Sequence, residues 1–301
     1  MTDQYAVFGN PIAQSKSPEI HRAFAVQTLQ AMEYSRQLVD IDSFTAAADQ
    51  FFQAGGKGLN ITMPFKQDAY GYGSRISPRA RRAGAVNTLA LQEDGTILGD
   101  TTDGLGLIRD ITKNLNWDIR AKRVLILGAG GAVRGVLEPL LAEQPQHVVI
   151  ANRSVDKALQ LAKGFAELGY LLGCGLDMLD GQEFDLIING TSASLQGGMP
   201  PLPDSLLAPS SGTDTAACYD MMYSAAPTPF MSWARQRGAR ASDGLGMLVE
   251  QAAESFYLWR GIRPKTYQVL DALRLKLVAE ANSKTWSCAC ISARYWSFNL
   301  T

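Results

Sequence analysis

Apolar positions fall in short runs separated by polar, glycine- and proline-rich punctuation, the pattern of strands and helices in alternation. Tyr5-Ala-Val-Phe-Gly9 reads as a strand running into a Gly-Asn-Pro loop. Ser17 as N-cap and Pro18 at the first helical position predict a helix over 19–29. Further along, 38–41 predicts a second strand, 44–54 a helix and 58–63 a third strand ahead of Pro64. A new pattern starts near Trp117. Residues 123–127 form a continuous apolar run, as in a strand buried on both faces. A glycine turn and a helix to Leu141 follow, then strands at 147–151 and 184–189 with a helix over 157–166 between them. Residues 200–215 are rich in Pro, Ser and Gly and predict surface loop. A late strand at 217–220 and helices over 245–258 and 267–281 complete the chain.

Strands alternating with helices predict an α/β fold with mostly parallel sheets. Two lobes are expected: an N-terminal α/β substrate domain over 1–104, rejoined by a helical return over 243–301, and a Rossmann-type dinucleotide domain over 105–242. The return is expected to pack on the first lobe and leave a cleft between the two, a usual place for a small ligand.

Composition narrows the function. With 28 Lys+Arg against 29 Asp+Glu the net charge is −1, so there is no global field to gather nucleic acid. No run of about 18 apolar residues suits a membrane span. Met1-Thr-Asp-Gln-Tyr5 has no basic region followed by an apolar core, so no secretory leader is expected. His21 and His147 are far apart, and Cys174, Cys218, Cys288 and Cys290 include only a C-x-C pair, so no metal site is expected. Free thiols in a reducing, cytoplasmic compartment are the expectation.

The glycine turn carries the first chemistry. A strand, then Gly128-Ala129-Gly130-Gly131-Ala132, then a helix is the arrangement that brings a pyrophosphate onto a helix N-terminus. The third fingerprint position is Val133, and such turns also serve as plain tight connections. The next strand ends Ala151-Asn152-Arg153-Ser154, with Lys157 nearby. An NAD site would place Asp or Glu about there to bond the ribose 2′-hydroxyl, whereas a cation suits a 2′-phosphate. NADP is therefore expected over NAD, the plainer alternative being a solvated Arg153.

A second cluster is polar. Asn60 and Thr62 share one face of a predicted strand. Pro64-Phe-Lys66, Gly84-Ala-Val-Asn87-Thr88 and Gly99-Asp-Thr-Thr-Asp103-Gly104 follow. Amides and hydroxyls with one Lys and one Asp suit a polyhydroxylated ligand, and a Lys–Asp pair can move a proton during hydride transfer. Lys after Pro is also common at solvated surfaces, and Asp before Gly in turns.

Eight motifs in order carry a resemblance: Ser15-Lys-Ser17-Pro18, Asn60-Ile-Thr62-Met-Pro-Phe-Lys66, Gly84-Ala-Val-Asn87-Thr88, Thr102-Asp103-Gly104, Gly128 to Ala132, Asn152-Arg153-Ser154, Tyr219-Asp-Met221-Met-Tyr223 and Asp243-Gly244 through Gln251. Together they resemble shikimate dehydrogenase, from about Tyr5 to about Ala281. The resemblance implies NADP-dependent reduction of 3-dehydroshikimate in the shikimate pathway to aromatic amino acids and chorismate, by a monomer or homodimer. It implies Ser15 and Ser17 as carboxylate ligands, Asn60, Thr62, Asn87, Gln251 and Tyr223 as substrate contacts, and Lys66 with Asp103 as the catalytic pair. For the cofactor it implies Gly128 to Ala132 at the phosphates, Asn152 to Lys157 around the 2′-phosphate, and Met221 and Gly244 at the nicotinamide.

The chain departs from the family pattern at Thr101 (commonly Asn), Phe65 (frequently His), Val133 (commonly small) and Asn189-Gly-Thr-Ser-Ala-Ser (more often Asn-Ala-Thr-Ser-Ala-Gly). None removes a catalytic group, and Val133 is expected to loosen the helix behind the phosphates. The tail 284–301, with Trp286, Cys288, Cys290 and Trp296, has no assigned role. Two other readings stand beside the first. A quinate/shikimate dehydrogenase with broader substrate or NAD use differs by one substrate hydroxyl. A binding regulator on the same scaffold would need neither Lys66 nor Asp103.

Overall fold

The computed structural model describes residues 2–193, 197–209 and 215–296, with side chains to Asn282. The chain opens as β1 (Asp3–Gly9), α1 (Ser17–Thr28), β2 (Met32–Leu38), α2 (Phe44–Gln53) and β3 (Gly56–Ile61). It continues through α3 (Lys66–Tyr72), β4 (Arg75–Ile76), α4 (Pro78–Ala83), the hairpin β5 (Thr88–Leu91) and β6 (Ile97–Asp100), and α5 (Asp103–Arg109) with its π-helical extension Asp110–Asn114. Then come β7 (Arg123–Leu127), α6 (Gly131–Ala142), β8 (His147–Ala151), α7 (Val155–Phe165), β9 (Leu171–Cys174), β10 (Leu186–Asn189), β11 (Ala217–Asp220), α8 (Pro229–Gln236) and β12 (Arg240–Asp243). The return is α9 (Leu245–Arg260) and α10 (Tyr267–Trp296), a helix longer than the expected 267–281.

Two six-stranded sheets result, ordered β2-β1-β3-β5-β6-β4 and β12-β11-β10-β7-β8-β9. The second is parallel throughout, and its order reverses between β7 and β10. A ligand of such a sheet binds in the crevice beyond the strand ends at that switch point. β7 earns its central place by sequence: Val124 and Ile126 enter one core cluster, Leu125 and Leu127 the opposite one. The first sheet is mostly parallel as expected, β5 alone running antiparallel, to both β3 and β6.

The second strand also differs from expectation. β2 runs over Met32–Leu38, not 38–41, and pairs with β1 from Asp3↔Met32 to Gly9↔Leu38. Its residues alternate between half-buried and exposed, as an edge strand does, so no apolar run announces it. Val39 lies past the end of that ladder, where the Asn10 side chain holds its carbonyl at 3.0 Å. Helix α1 begins at Ser17 with Lys16 as N-cap, one residue ahead of the expected Ser17 cap.

The return packs on the first lobe: Ile20 and Phe24 of α1 share a core with Val249, Phe256 and Leu273 of α9 and α10. Helix α5 joins the lobes. A Cβ on Gly104 would lie 2.7 Å from the Gly135 carbonyl oxygen of α6, and one on Gly106 2.7 Å from the Met247 carbonyl oxygen of α9. Only glycine permits this approach from both sides, and it fixes the start of α5 at the junction.

Candidate active site

Lys66 opens α3 just beyond β3, and Asp103 opens α5 just beyond β6, so the sheet delivers both to one end. Lys66 Nζ donates to Asp103 Oδ2 at 2.6 Å, with the side chains 31% and 18% exposed. The other carboxylate oxygen, Oδ1, accepts from Asn87 Nδ2 at 2.9 Å. Asp103 is thus held at both oxygens, which orients it toward the ammonium.

Asn87 is itself locked. Its Oδ1 accepts from Thr88 Oγ1 at 2.8 Å and from the Thr102 amide at 2.9 Å. Gln251 on α9 stands with Oε1 3.3 Å from Thr102 Oγ1 and 3.4 Å from Asn87 Nδ2. Four residues on, Ser255 lies one turn away on the same face, 2.8 Å from Thr88 Oγ1. Thr88, Thr102 and Ser255 are all buried; the two threonines stand in the quoted motifs, and only the four-residue spacing from Gln251 could have signalled Ser255.

Asn60, expected as a substrate contact, is bonded by protein groups. It is buried, and protein groups occupy its whole amide: Oδ1 accepts from Tyr34 at 2.7 Å, and Nδ2 lies 2.9 Å from Ser255 Oγ and 3.2 Å from Thr88 Oγ1. It buttresses the site from behind. Ser17 is in hydrogen-bond reach of the Tyr34 hydroxyl, whose pKa burial raises well above 10. Ser15 Oγ lies 3.3 Å from the Ser17 amide, and Arg36 Nε donates to the Ser15 carbonyl at 2.8 Å. The serine loop is therefore tied to the network behind the Lys66–Asp103 pair. Thr62 packs its methyl over Gly9, and Tyr223 is half-buried beside the α1/α9 core, its hydroxyl pKa raised by burial and by Asp243. Among the described residues no hydrogen bond joins either side chain to the Asn87 network.

The opposite wall is the glycine turn. Gly130 caps α6 with no side-chain partner, leaving the first-turn amides free for an anion. A Cβ on Gly130 or Gly131 would meet nothing within 4 Å, so the turn borders open space of the kind a pyrophosphate fills. At the end of β8, Arg153 and Lys157 are exposed and join no ion pair among the described residues. Arg153 lines a surface cavity of about 590 Å³ with Leu176, Asp177, Asp180, Pro201, Leu202 and Pro203. Asn152 Nδ2 donates to the Ser154 carbonyl at 3.0 Å, shaping this corner. Gly244, heading α9, lies so close to Met221 that a Cβ would come 2.3 Å from its carbonyl oxygen. These residues fit a phosphorylated dinucleotide.

Val133 corrects an expectation. It is fully buried in the core, because Gly190 leaves the space into which its Cγ2 projects. The two departures from the family pattern compensate one another, while Ser194 lies outside the described residues. Phe65, likewise a departure, is buried and stacks on Phe44 at 5.6 Å. Thr101 is buried, its amide donating to Asp100 Oδ1 at 2.8 Å. The side chains of Trp286, Cys288, Cys290 and Trp296 lie outside the described residues.

Comparison with known proteins decides the family. The pattern of the shikimate dehydrogenase substrate binding domain matches residues 7–89, that of shikimate / quinate 5-dehydrogenase matches 110–196, and that of the shikimate 5′-dehydrogenase C-terminal domain matches 244–274. A shikimate dehydrogenase (NADP(+)) from Cellvibrio japonicus is 61% identical over 278 residues, covering 92% of this chain and 99% of that protein. The chain belongs to the shikimate dehydrogenase family. Shikimate dehydrogenase from Thermus thermophilus, solved with NADP(H) and shikimate, aligns with a TM-score of 0.78 at 30% identity over 91% of this chain and 99% of that one. An Ael1 enzyme from Pseudomonas putida aligns with a TM-score of 0.85 at 46% identity, over 90% and 98%. Among the described residues no cluster could hold a metal ion, and no helix is long and apolar enough to cross a membrane.

Proposed function

We propose that this chain interconverts 3-dehydroshikimate and shikimate with NADP(H), Lys66 and Asp103 handling the proton. The observation that carries this reading is the 2.6 Å Lys66–Asp103 pair at the mouth of the first lobe. Bound NADP would supply the hydride chemistry. As negative charge develops on the ring ketone oxygen, the Lys66 ammonium stabilises it and delivers a proton; in the oxidation direction the same amine takes the proton away. Asp103 orients the ammonium and accepts from the neighbouring ring hydroxyl, and Asn87 keeps its carboxylate from turning. Ser15 and Ser17 receive the substrate carboxylate, with Thr62, Tyr223 and Gln251 around the ring.

On the cofactor side, Gly128, Ala129, Gly130, Gly131 and Ala132 hold the pyrophosphate, and Asn152, Arg153, Ser154 and Lys157 surround the 2′-phosphate. Met221 and Gly244 border the nicotinamide. We place the enzyme in the cytoplasm; Cys174 and Cys218 are free, and burial pushes the Cys218 thiol up to about 12. The test is oxidation of NADPH on adding 3-dehydroshikimate, followed at the nicotinamide absorbance. Turnover with shikimate and NADP⁺ but not with quinate or NAD⁺ is expected, and absence of turnover in every combination would overturn the reading.

A further inference from the structure

Behind the active site, His21 of α1 is wholly buried. It stacks on Tyr34 with ring centroids 4.2 Å apart and an interplanar angle of 8°, and Phe24, Phe256 and Trp259 close around it. Among the described residues its one polar contact is Nε2 to Asn60 Oδ1, at 3.1 Å, and Nδ1 is buried without a partner.

The proton on this ring follows from its neighbours. The Asn87 carbonyl oxygen can only accept, so the Asn60 atom 3.3 Å from it is the amide nitrogen. The Asn60 oxygen therefore faces Tyr34 and His21, and the His21 atom opposite it must be a donor. His21 is the neutral Nε2–H tautomer, consistent with burial pushing its pKa down to about 3.

That donor does a specific job. A hydroxyl such as Tyr34's donates or accepts, so the sense of the Asn60 amide is set by two one-way partners, the accepting Asn87 carbonyl at its nitrogen and the donating His21 ring at its oxygen. On the oxygen side His21 is the matching donor, its ring held rigidly by four aromatic neighbours with Nε2 aimed at Asn60 Oδ1. With the amide so oriented, its nitrogen holds the Asn87 carbonyl and supports Thr88, which donates to Asn87 Oδ1 at 2.8 Å. Asn87 in turn holds Asp103 Oδ1.

We propose that His21 is a positioning residue for the reaction: with the Asn87 carbonyl at the other end, its Nε2–H holds the Asn60 amide in the sense and place that keep Asn87 against Asp103. The proposal rests on Lys66 and Asp103 as the proton-transfer pair. Loss of this donor leaves the Asn60 oxygen held by the Tyr34 hydroxyl alone, so the amide can tilt and Asn87 shift with it, and misplacement of a catalytic group by a fraction of an ångström to an ångström costs on the order of tenfold to a hundredfold in rate.

The test compares His21→Gln, whose amide nitrogen reaches the Nε2 position, with His21→Asn, whose shorter amide does not, and with His21→Phe, which keeps the ring stack without the donor. Folding is checked by NADP⁺ affinity, read by fluorescence. We expect His21→Asn and His21→Phe to lose roughly tenfold or more in kcat with shikimate, with KM for NADP⁺ unchanged and His21→Gln within about threefold of wild type. In an Asn60→Ala background His21→Phe should cost nothing further, since both act through one amide. Equal kcat in all folded variants, equal impairment of Gln and Asn, or effects that multiply with Asn60→Ala would overturn the proposal. If His21→Phe does not fold, the Gln/Asn comparison stands alone. A wild-type enzyme inactive with shikimate would instead overturn the functional reading.

Discussion

Val133 Cγ2 sits 2.4 Å from the point where a Cβ on Gly190 would stand, so the two positions share one volume at the switch point. Gly190→Ala should therefore strain α6 and cost about 1–3 kcal/mol of stability. Val133→Ala alone leaves a void and also destabilises. Together the changes restore the fit, and urea denaturation of the four proteins should give a favourable coupling of about 1 kcal/mol or more. Additive losses would show that the volumes are independent.

Arg153 stands exposed at the end of β8 without an ion-pair partner among the described residues. Arg153→Ala should raise KM for NADP⁺ roughly tenfold to a hundredfold, the worth of a charge-assisted contact to phosphate. KM for NAD⁺, which has no 2′-phosphate, should move little. Steady-state kinetics with both cofactors check this, and a parallel rise in both values would reassign Arg153 to a general role.

His21 also predicts a pH dependence of stability. Its folded pKa is pushed down to about 3 by burial, against about 6.5 when the chain is unfolded. Between these values the unfolded state binds a proton that the folded state refuses. The contribution of neutral His21 is complete above pH 6.5 and is lost as pH falls toward 3, at about 1.4 kcal/mol per unit. Denaturant titrations from pH 7 to 4 should show wild-type stability falling more steeply than that of His21→Gln, which has no such group. Parallel curves would mean that folded His21 takes up a proton as readily as it does in the unfolded chain.

The cofactor half of the molecule was legible because its strands are buried on both faces: Val124 to Leu127 and Val148 to Ala151 read as strands on apolar content alone, and the glycines between them marked the turn. β2 was not, since Met32–Leu38 is an edge strand of alternating exposure, and neither was the β5/β6 hairpin, whose antiparallel pairing breaks the βα rhythm. Lys66, Asp103 and Asn87 were read as one cluster, Gln251 was added by the resemblance, and the four converge in space. Alternation put Asn60 on one face with Thr62 and the resemblance made it a substrate contact, but neither reveals that Tyr34, His21 and Ser255 bond its amide. Such networks join residues as distant as Asn60 and Ser255, and no local pattern records them.

The central claim is that Lys66, held by Asp103, moves the proton that accompanies hydride transfer. Lys66→Ala and wild type should be compared by nicotinamide absorbance with saturating shikimate and NADP⁺, alongside direct measurement of shikimate binding. The account predicts that kcat falls by about a hundredfold or more, the usual worth of a general acid–base group, while NADP⁺ affinity is unchanged and shikimate still binds. Wild-type turnover in Lys66→Ala would contradict it.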